Sequence, residues 1–204
     1  MGVSTALLLI DVVNPLEFEG GDDFLREARP AARRIAALQQ RAHASGVPSI
    51  FVNDNFDCWH LGFREIVARV RNAEGPGKVL LDDVTPDFRR DYFVLKPMHS
   101  GFFHTSLEVL LRRLEIRRLV LTGFAGDICV LFTAVDAHMR GFELAVPIDC
   151  VASARSAGNR RALEQMQRLL AADIRPSSDL SLGNEPIPVQ RRRRKPRGRV
   201  RGGA

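Results

Sequence analysis

Short apolar runs alternate with stretches of helical periodicity along most of this chain, and that alternation limits the fold more than any other feature. The runs Ala6–Ile10, Pro48–Asn53, Tyr92–Leu95, Leu119–Leu121 and Glu143–Ile148 read as buried strands, with a further short one expected near Ala172–Ile174. Between them lie amphipathic stripes. One is Ala31, Ile35, Leu38 and Ala42; another is Leu107, Leu110, Leu111 and Leu114; a third is Leu163, Met166, Leu169 and Leu170. The connections are long enough for right-handed crossovers. The pattern predicts an α/β fold, a parallel sheet with helices on both faces. A chain of 204 residues suits one domain. Residues 1–178 are read as that domain and 179–204 as an extension without periodicity.

The net charge of +6 misleads if taken over the whole chain. Arg191–Arg194, Lys195, Arg197, Arg199 and Arg201 supply eight cations with no acid among them. The remainder is close to neutral, so a nucleic-acid role for the domain loses its support. From about residue 190 the Arg/Gly composition holds too little apolar surface to order itself. Such a tail could contact nucleic acid weakly and in a salt-dependent way, but no dedicated partner is expected. No apolar run approaches the ~18 residues of a membrane span. Cys58, Cys129 and Cys150 are an odd number at irregular spacing, which argues for a reducing, cytoplasmic setting and against a disulfide framework.

Three strands end in residues that carry chemistry. Asp11 follows the first, Lys96 the third, and Cys129 follows the turn after the fourth. In a parallel sheet all three fall at the carboxyl edge, where ligand crevices form. Asp127 is a good N-cap, which would make Cys129 the second residue of a helix. Free N–H groups and the helix dipole would favour a thiolate there. A cysteine nucleophile needs a base and a partner for its charge, and Asp11 and Lys96 can fill those roles. A loop salt bridge beside a buried structural thiol is the alternative.

The segments LLLIDVVNPL, VLKPMHSGFF and LVLTGFAGDICVLFTAVDAHMRGFELAVPIDC resemble the three sequence blocks of the isochorismatase-like cysteine hydrolases, in order and spacing, over about residues 5–175. The resemblance implies a three-layer α-β-α fold with six parallel strands in the order 3-2-1-4-5-6. It implies a catalytic triad of Asp11, Lys96 and Cys129. It also implies a cis peptide between Phe124 and Ala125 and an oxyanion hole from the backbone N–H groups of Ala125 and Cys129. Gly126 stands where many members carry Thr, a departure that would loosen the turn. The activity implied is cleavage of a C–N bond in a small amide, ureide or carbamoyl substrate through a thioester. A vinyl-ether hydrolase that uses Asp11 without Cys129 is one alternative, and a non-enzymatic binding or oligomerisation module is another.

Nicotinamidases of this superfamily hold a metal with an Asp-x-His and a later His. Here Asp54 matches, Phe56 stands at the first His, and His60 alone could follow. No metal and no cofactor are therefore expected, and whether Asp54 and His60 bind any ion stays open. Asn14, Asn55, Trp59, His99 and Phe102 are the candidate substrate-pocket residues. The resemblance also implies a homo-oligomer, a dimer or tetramer.

Overall fold

The computed structural model describes residues 4–183. The Arg-rich stretch of the extension lies outside the described residues. The strands are β1 (Thr5–Ile10), β2 (Ser49–Asp54), β3 (Tyr92–Lys96), β4 (Arg118–Phe124), β5 (Glu143–Ala145) and β6 (Val151–Ala152). The helices are α1 (Gly21–Ala44), α2 (Phe63–Asn72), α3 (Lys78–Asp83), α4 (Leu107–Arg113), α5 (Leu131–Met139) and α6 (Ser156–Leu170). All strands pair in parallel, in the order β3-β2-β1-β4-β5, with β6 beside β4.

Side-chain alternation sorts the sheet into two cores. Leu7 and Leu9 of β1, with Phe51 and Val120, pack against α1, α2 and α3. Ala6, Leu8 and Ile10, with Val52 and Leu121, pack against α4, α5 and α6. A strand buried on both faces must be apolar at every position, which explains the unbroken runs. Helix α1 buries Phe24, Ala28, Ile35 and Leu38 along one stripe. Its Pro30 is exposed, so the carbonyl that loses its helical partner can turn to water.

Two strands differ from expectation. The fifth stops at Ala145, because Pro147 cannot donate to a ladder and Ile148–Cys150 tighten into a single turn. The chain returns at β6 to cover the far half of β4, pairing Gly123 with Val151 and Phe124 with Ala152. The short strand expected near 172–174 is one bridge, Ala145 to Asp173, on the outer side of β5. Packed structure also runs past residue 178. Leu180 and Leu182 are buried, and Arg41 and Arg118 donate to the carbonyls of Leu180 and Ser181. Two anchored leucines carry no periodicity, so sequence pattern does not reveal their packing.

Candidate active site

Parallel register brings the strand ends together. Ile10 lies between Val52 and Gly123, and Asp54 lies opposite Lys96. Gly123 has φ 126°, and a Cβ there would sit 1.9 Å from the Ile10 carbonyl oxygen. Only glycine lets β4 press this closely on β1 where the site begins. Just beyond, Asp11 takes the left-handed region at φ 53°, an uncommon conformation that recurs at functional sites.

Asp11 Oδ2 lies 2.9 Å from Lys96 Nζ, and Asp11 Oδ1 accepts the Asp54 N–H at 2.7 Å. Lys96 Nζ also reaches Asp54 Oδ2 at 3.5 Å and donates to Cys129 Sγ at 3.7 Å. The Asp11 carboxylate also neighbours the Cys129 thiol. One ammonium thus faces two carboxylates and the sulfur. Burial pushes the Asp11 carboxyl above its ordinary range, against the pull of Lys96. Burial alone would lower Lys96, but the carboxylate of Asp11 and its other neighbours outweigh that and hold its ammonium above the usual range.

Cys129 departs from expectation. Burial, and then the Asp11 carboxylate, push its thiol up to about 12, while Lys96 pulls the other way. The helix-start effect expected to favour a thiolate is overcome by desolvation and negative neighbours. The upward shift favours a thiol beside the Asp11 carboxylate. Nor is Cys129 the second residue of an ordinary helix capped by Asp127. Gly126–Val130 form a π-helical turn, a form frequent at functional sites, and Cys129 is its fourth residue. The Asp127 N–H donates to Ser153 Oγ instead.

The expected cis bond between Phe124 and Ala125 is not found. Among the described residues every peptide bond is trans. Ala125 turns the chain through the left-handed region, at φ 51° and ψ 59°, and its carbonyl accepts from Ile128 and Val130. Gly126 does not loosen the turn either. A Cβ there would lie 2.2 Å from Asn159 Oδ1 and 2.4 Å from Val151 Cγ1. Asn159, from α6, fills that space, donating to the Val151 carbonyl and accepting from Ser153 Oγ.

A second set of hydrogen bonds joins the loop after Lys96 to the helix after Cys129. Gly101 N–H donates to Thr133 Oγ1 at 3.0 Å, and Thr133 Oγ1 donates to the Cys129 carbonyl at 2.7 Å. Ser100 Oγ donates to Asp136 Oδ2. Sequence reading missed Thr133, Ser100, Ser153 and Asn159, which resemble ordinary helix and loop residues. Asp54 could have been grouped with the site, since it ends its strand as Asp11 and Lys96 end or follow theirs.

The five candidate pocket residues separate. Asn14 and Asn55 spend their side-chain oxygens on loop N–H groups two residues ahead. Trp59 is exposed, and His99 packs its ring against Phe132. Phe102 is buried, with its ring against Phe142 and under Arg140. As for a metal, Asp54 Oδ1 accepts the Phe56 N–H and Oδ2 faces the Lys96 ammonium. A cation in the place of a cation, and Phe56 where a ligand would stand, do not fit a metal. His60 is exposed, and among the described residues no three such ligands converge.

A family model described as the isochorismatase domain matches residues 5–175. The chain belongs to the isochorismatase family. This isochorismatase-family hydrolase is 36% identical over 169 residues to the uncharacterised isochorismatase family protein YaaI of Bacillus subtilis, covering 83% of this chain and 92% of that one. Its fold is similar to the N-carbamoylsarcosine amidase of Thermoplasma acidophilum, with TM-score 0.68 and 27% identity over 89% of this chain and 99% of that one. It is also similar to the nicotinamidase PncA of Bacillus subtilis, with TM-score 0.66 and 28% identity over 84% and 99% of the two chains.

Proposed function

We propose that this family member is a cysteine hydrolase that cleaves a C–N bond of a small amide, ureide or carbamoyl substrate. The observation that carries the reading is the convergence of Asp11 and Cys129 on the Lys96 ammonium. The similar amidase and nicotinamidase folds support the substrate class. Asp11 takes the proton from Cys129 Sγ as sulfur attacks the carbonyl carbon. A C–S bond forms, and the carbonyl π pair moves to oxygen. The N–H groups of Ala125 and Cys129 receive that oxyanion, a contribution of about 3–4 kcal/mol for one such donor. The oxyanion collapses, the C–N bond breaks, and Asp11 gives its proton to the leaving nitrogen. Water then loses a proton to Asp11 and attacks the thioester, and Cys129 leaves and is reprotonated. Lys96 stays charged throughout and faces whichever partner, carboxylate or sulfur, holds the negative charge.

A screen of small amides, ureides and carbamoyl compounds for ammonia release tests this, with Cys129→Ala alongside. Turnover abolished in the variant is the expected result. Turnover retained without the thiol would sink the thioester route and favour chemistry by Asp11 alone. The cytoplasmic setting belongs to the same proposal and is supported by three unpaired cysteines. A homo-oligomer is included too, supported by the exposed apolar side chains of Met98, Phe103, Ile128 and Phe132. Light scattering after size exclusion reads it. Among the described residues no helix is long and apolar enough to cross a membrane.

A further inference from the structure

Lys96 is shared by two carboxylates, and the hydrolytic cycle uses only one of them. Asp54 is the other. It is also the charged member of the cluster that solvent can reach: its side chain is 35% exposed, against 7% for Asp11 and none for Lys96. Whatever enters the crevice meets Asp54 before it meets the buried pair.

Asp54 cannot swing away from the sulfur. It ends β2 in register with Lys96, and its Oδ1 is held by the Phe56 N–H at 2.7 Å. Phe56 and Asp57, both in the left-handed region, fix the turn that follows. Its Oδ2 and the Cys129 sulfur touch the same ammonium, so they are no further apart than those two arms laid end to end. Ionising Cys129 would therefore place a second anion opposite a fixed first one. The charged groups around the sulfur are Asp11 from the end of β1, Asp54 from β2 and Lys96 from β3, with Asp127 on its own turn directed toward Gly158 of α6. Two carboxylates against one ammonium oppose a thiolate. Asp54 adds to the upward push on the Cys129 thiol that burial and Asp11 begin.

We propose that Asp54 is a substrate-sensing carboxylate: it restrains Cys129 in the thiol form, and a substrate carrying N–H donors or a positive charge beside its scissile carbonyl lifts that restraint by engaging Asp54. This rests on the cysteine-hydrolase reading and narrows its substrates to N–H-rich or cationic compounds, such as ureides and guanidino or ammonium amides. A neutral substrate without such donors would leave the sulfur unactivated. The resting enzyme would gain a thiol protected from adventitious alkylation and oxidation, since the thiolate is the reactive form.

The test is the rate at which methyl methanethiosulfonate modifies Cys129 at pH 7, read by peptide mass spectrometry so that Cys58 and Cys150 are counted apart. The reagent carries no N–H and does not itself engage Asp54. Asp54→Asn keeps the acceptor for Phe56 and removes the charge. It is expected to react roughly tenfold faster than the wild type, the effect of about one pK unit. Guanidinium chloride at tens of millimolar is expected to speed the wild-type reaction several-fold. Tetramethylammonium chloride at the same ionic strength should not, and neither salt should change Asp54→Asn. Asp54→Ser, with melting followed by circular dichroism, guards against a folding defect in the first variant. A folded Asp54→Asn that reacts at the wild-type rate overturns the proposal. So does an equal response to both salts, which would reduce the effect to screening. None of these arms needs turnover. An intact salt response with an empty substrate screen would leave sensing in place and remove the hydrolase reading, and the reverse result would do the opposite.

Discussion

Lys96 Nζ sits 2.9 Å from Asp11 Oδ2, and neither side chain is open to solvent. Removing one partner of such a pair strands the other as an uncompensated buried charge, which costs about 3–5 kcal/mol. Lys96→Met and Asp11→Asn are each expected to lower unfolding stability on that scale. The double variant should lose less than the two single losses together, because neither buried charge of the pair remains and Asp54 is open to solvent. Urea unfolding of the four proteins closes the cycle.

Alkaline pH is expected to destabilise the fold through its thiols. Burial pushes both Cys129 and Cys150 up to about 12, from an ordinary value of 9.0. A group whose pKa is raised by folding lends stability below its unfolded value and loses it as pH climbs to the folded one. Stability should therefore hold below pH 9 and fall between pH 9 and about 12. The raised Lys96 acts in the same direction, above its ordinary 10.5. Cys150→Ala should make the alkaline fall shallower in thermal melts taken across that window. An unchanged slope would assign the loss to other groups.

Thr133 is buried and bridges the Gly101 N–H to the Cys129 carbonyl. Thr133→Val keeps the shape and deletes the bridge. A displacement of 1 Å at a reacting atom can cost about a hundredfold in rate. The variant is expected to lose kcat by tenfold or more on any amide turned over by the wild type, with KM little changed. Thr133→Ser, which retains the hydroxyl, should recover most of it. Equal loss in both variants would point to packing instead of the hydrogen bonds.

Gly126 and Asn159 compete for one space. Gly126→Ala should cost about 1–3 kcal/mol, the range for overpacking. Asn159→Ala opens the space but releases Ser153 and Val151 from their hydrogen bonds. In the double variant the two losses should fall short of additivity by about 0.5–3 kcal/mol. Strict additivity in denaturant melts would mean that the side chain does not hold the turn.

The layers were legible because they rest on repeated, local signals, and the strand order because the family resemblance implied it. β1, β2 and β4 each carry an unbroken apolar run, Ala6–Ile10, Ile50–Val52 and Leu119–Leu121, and the helices between them carry one buried stripe each. Asp11, Lys96 and Cys129 were legible because each follows or ends a strand, and a parallel sheet gathers such positions at one edge. What escaped notice depends on through-space neighbours. The Phe124–Ala125 turn closes through a left-handed Ala125 with a trans bond. The identity of residue 126 is set by Val151 and Asn159, twenty-five and thirty-three positions along the chain. The elevated Cys129 thiol reflects burial and two carboxylates from separate strands. The ring of Phe102 lies beneath Arg140, a contact no sequence pattern shows.

The anchoring of Leu180 and Leu182 has a practical corollary. Arg41 in the last turn of α1 and Arg118 at the start of β4 both mark the amino edge of the sheet, and the final described segment is tied down there. Asp11, Lys96 and Cys129 lie at the other edge. A sensor surface or resin that captured the protein through residues following Leu182 would orient it with Cys129 facing the bulk liquid. Reagents would then reach the sulfur as freely as they do in solution.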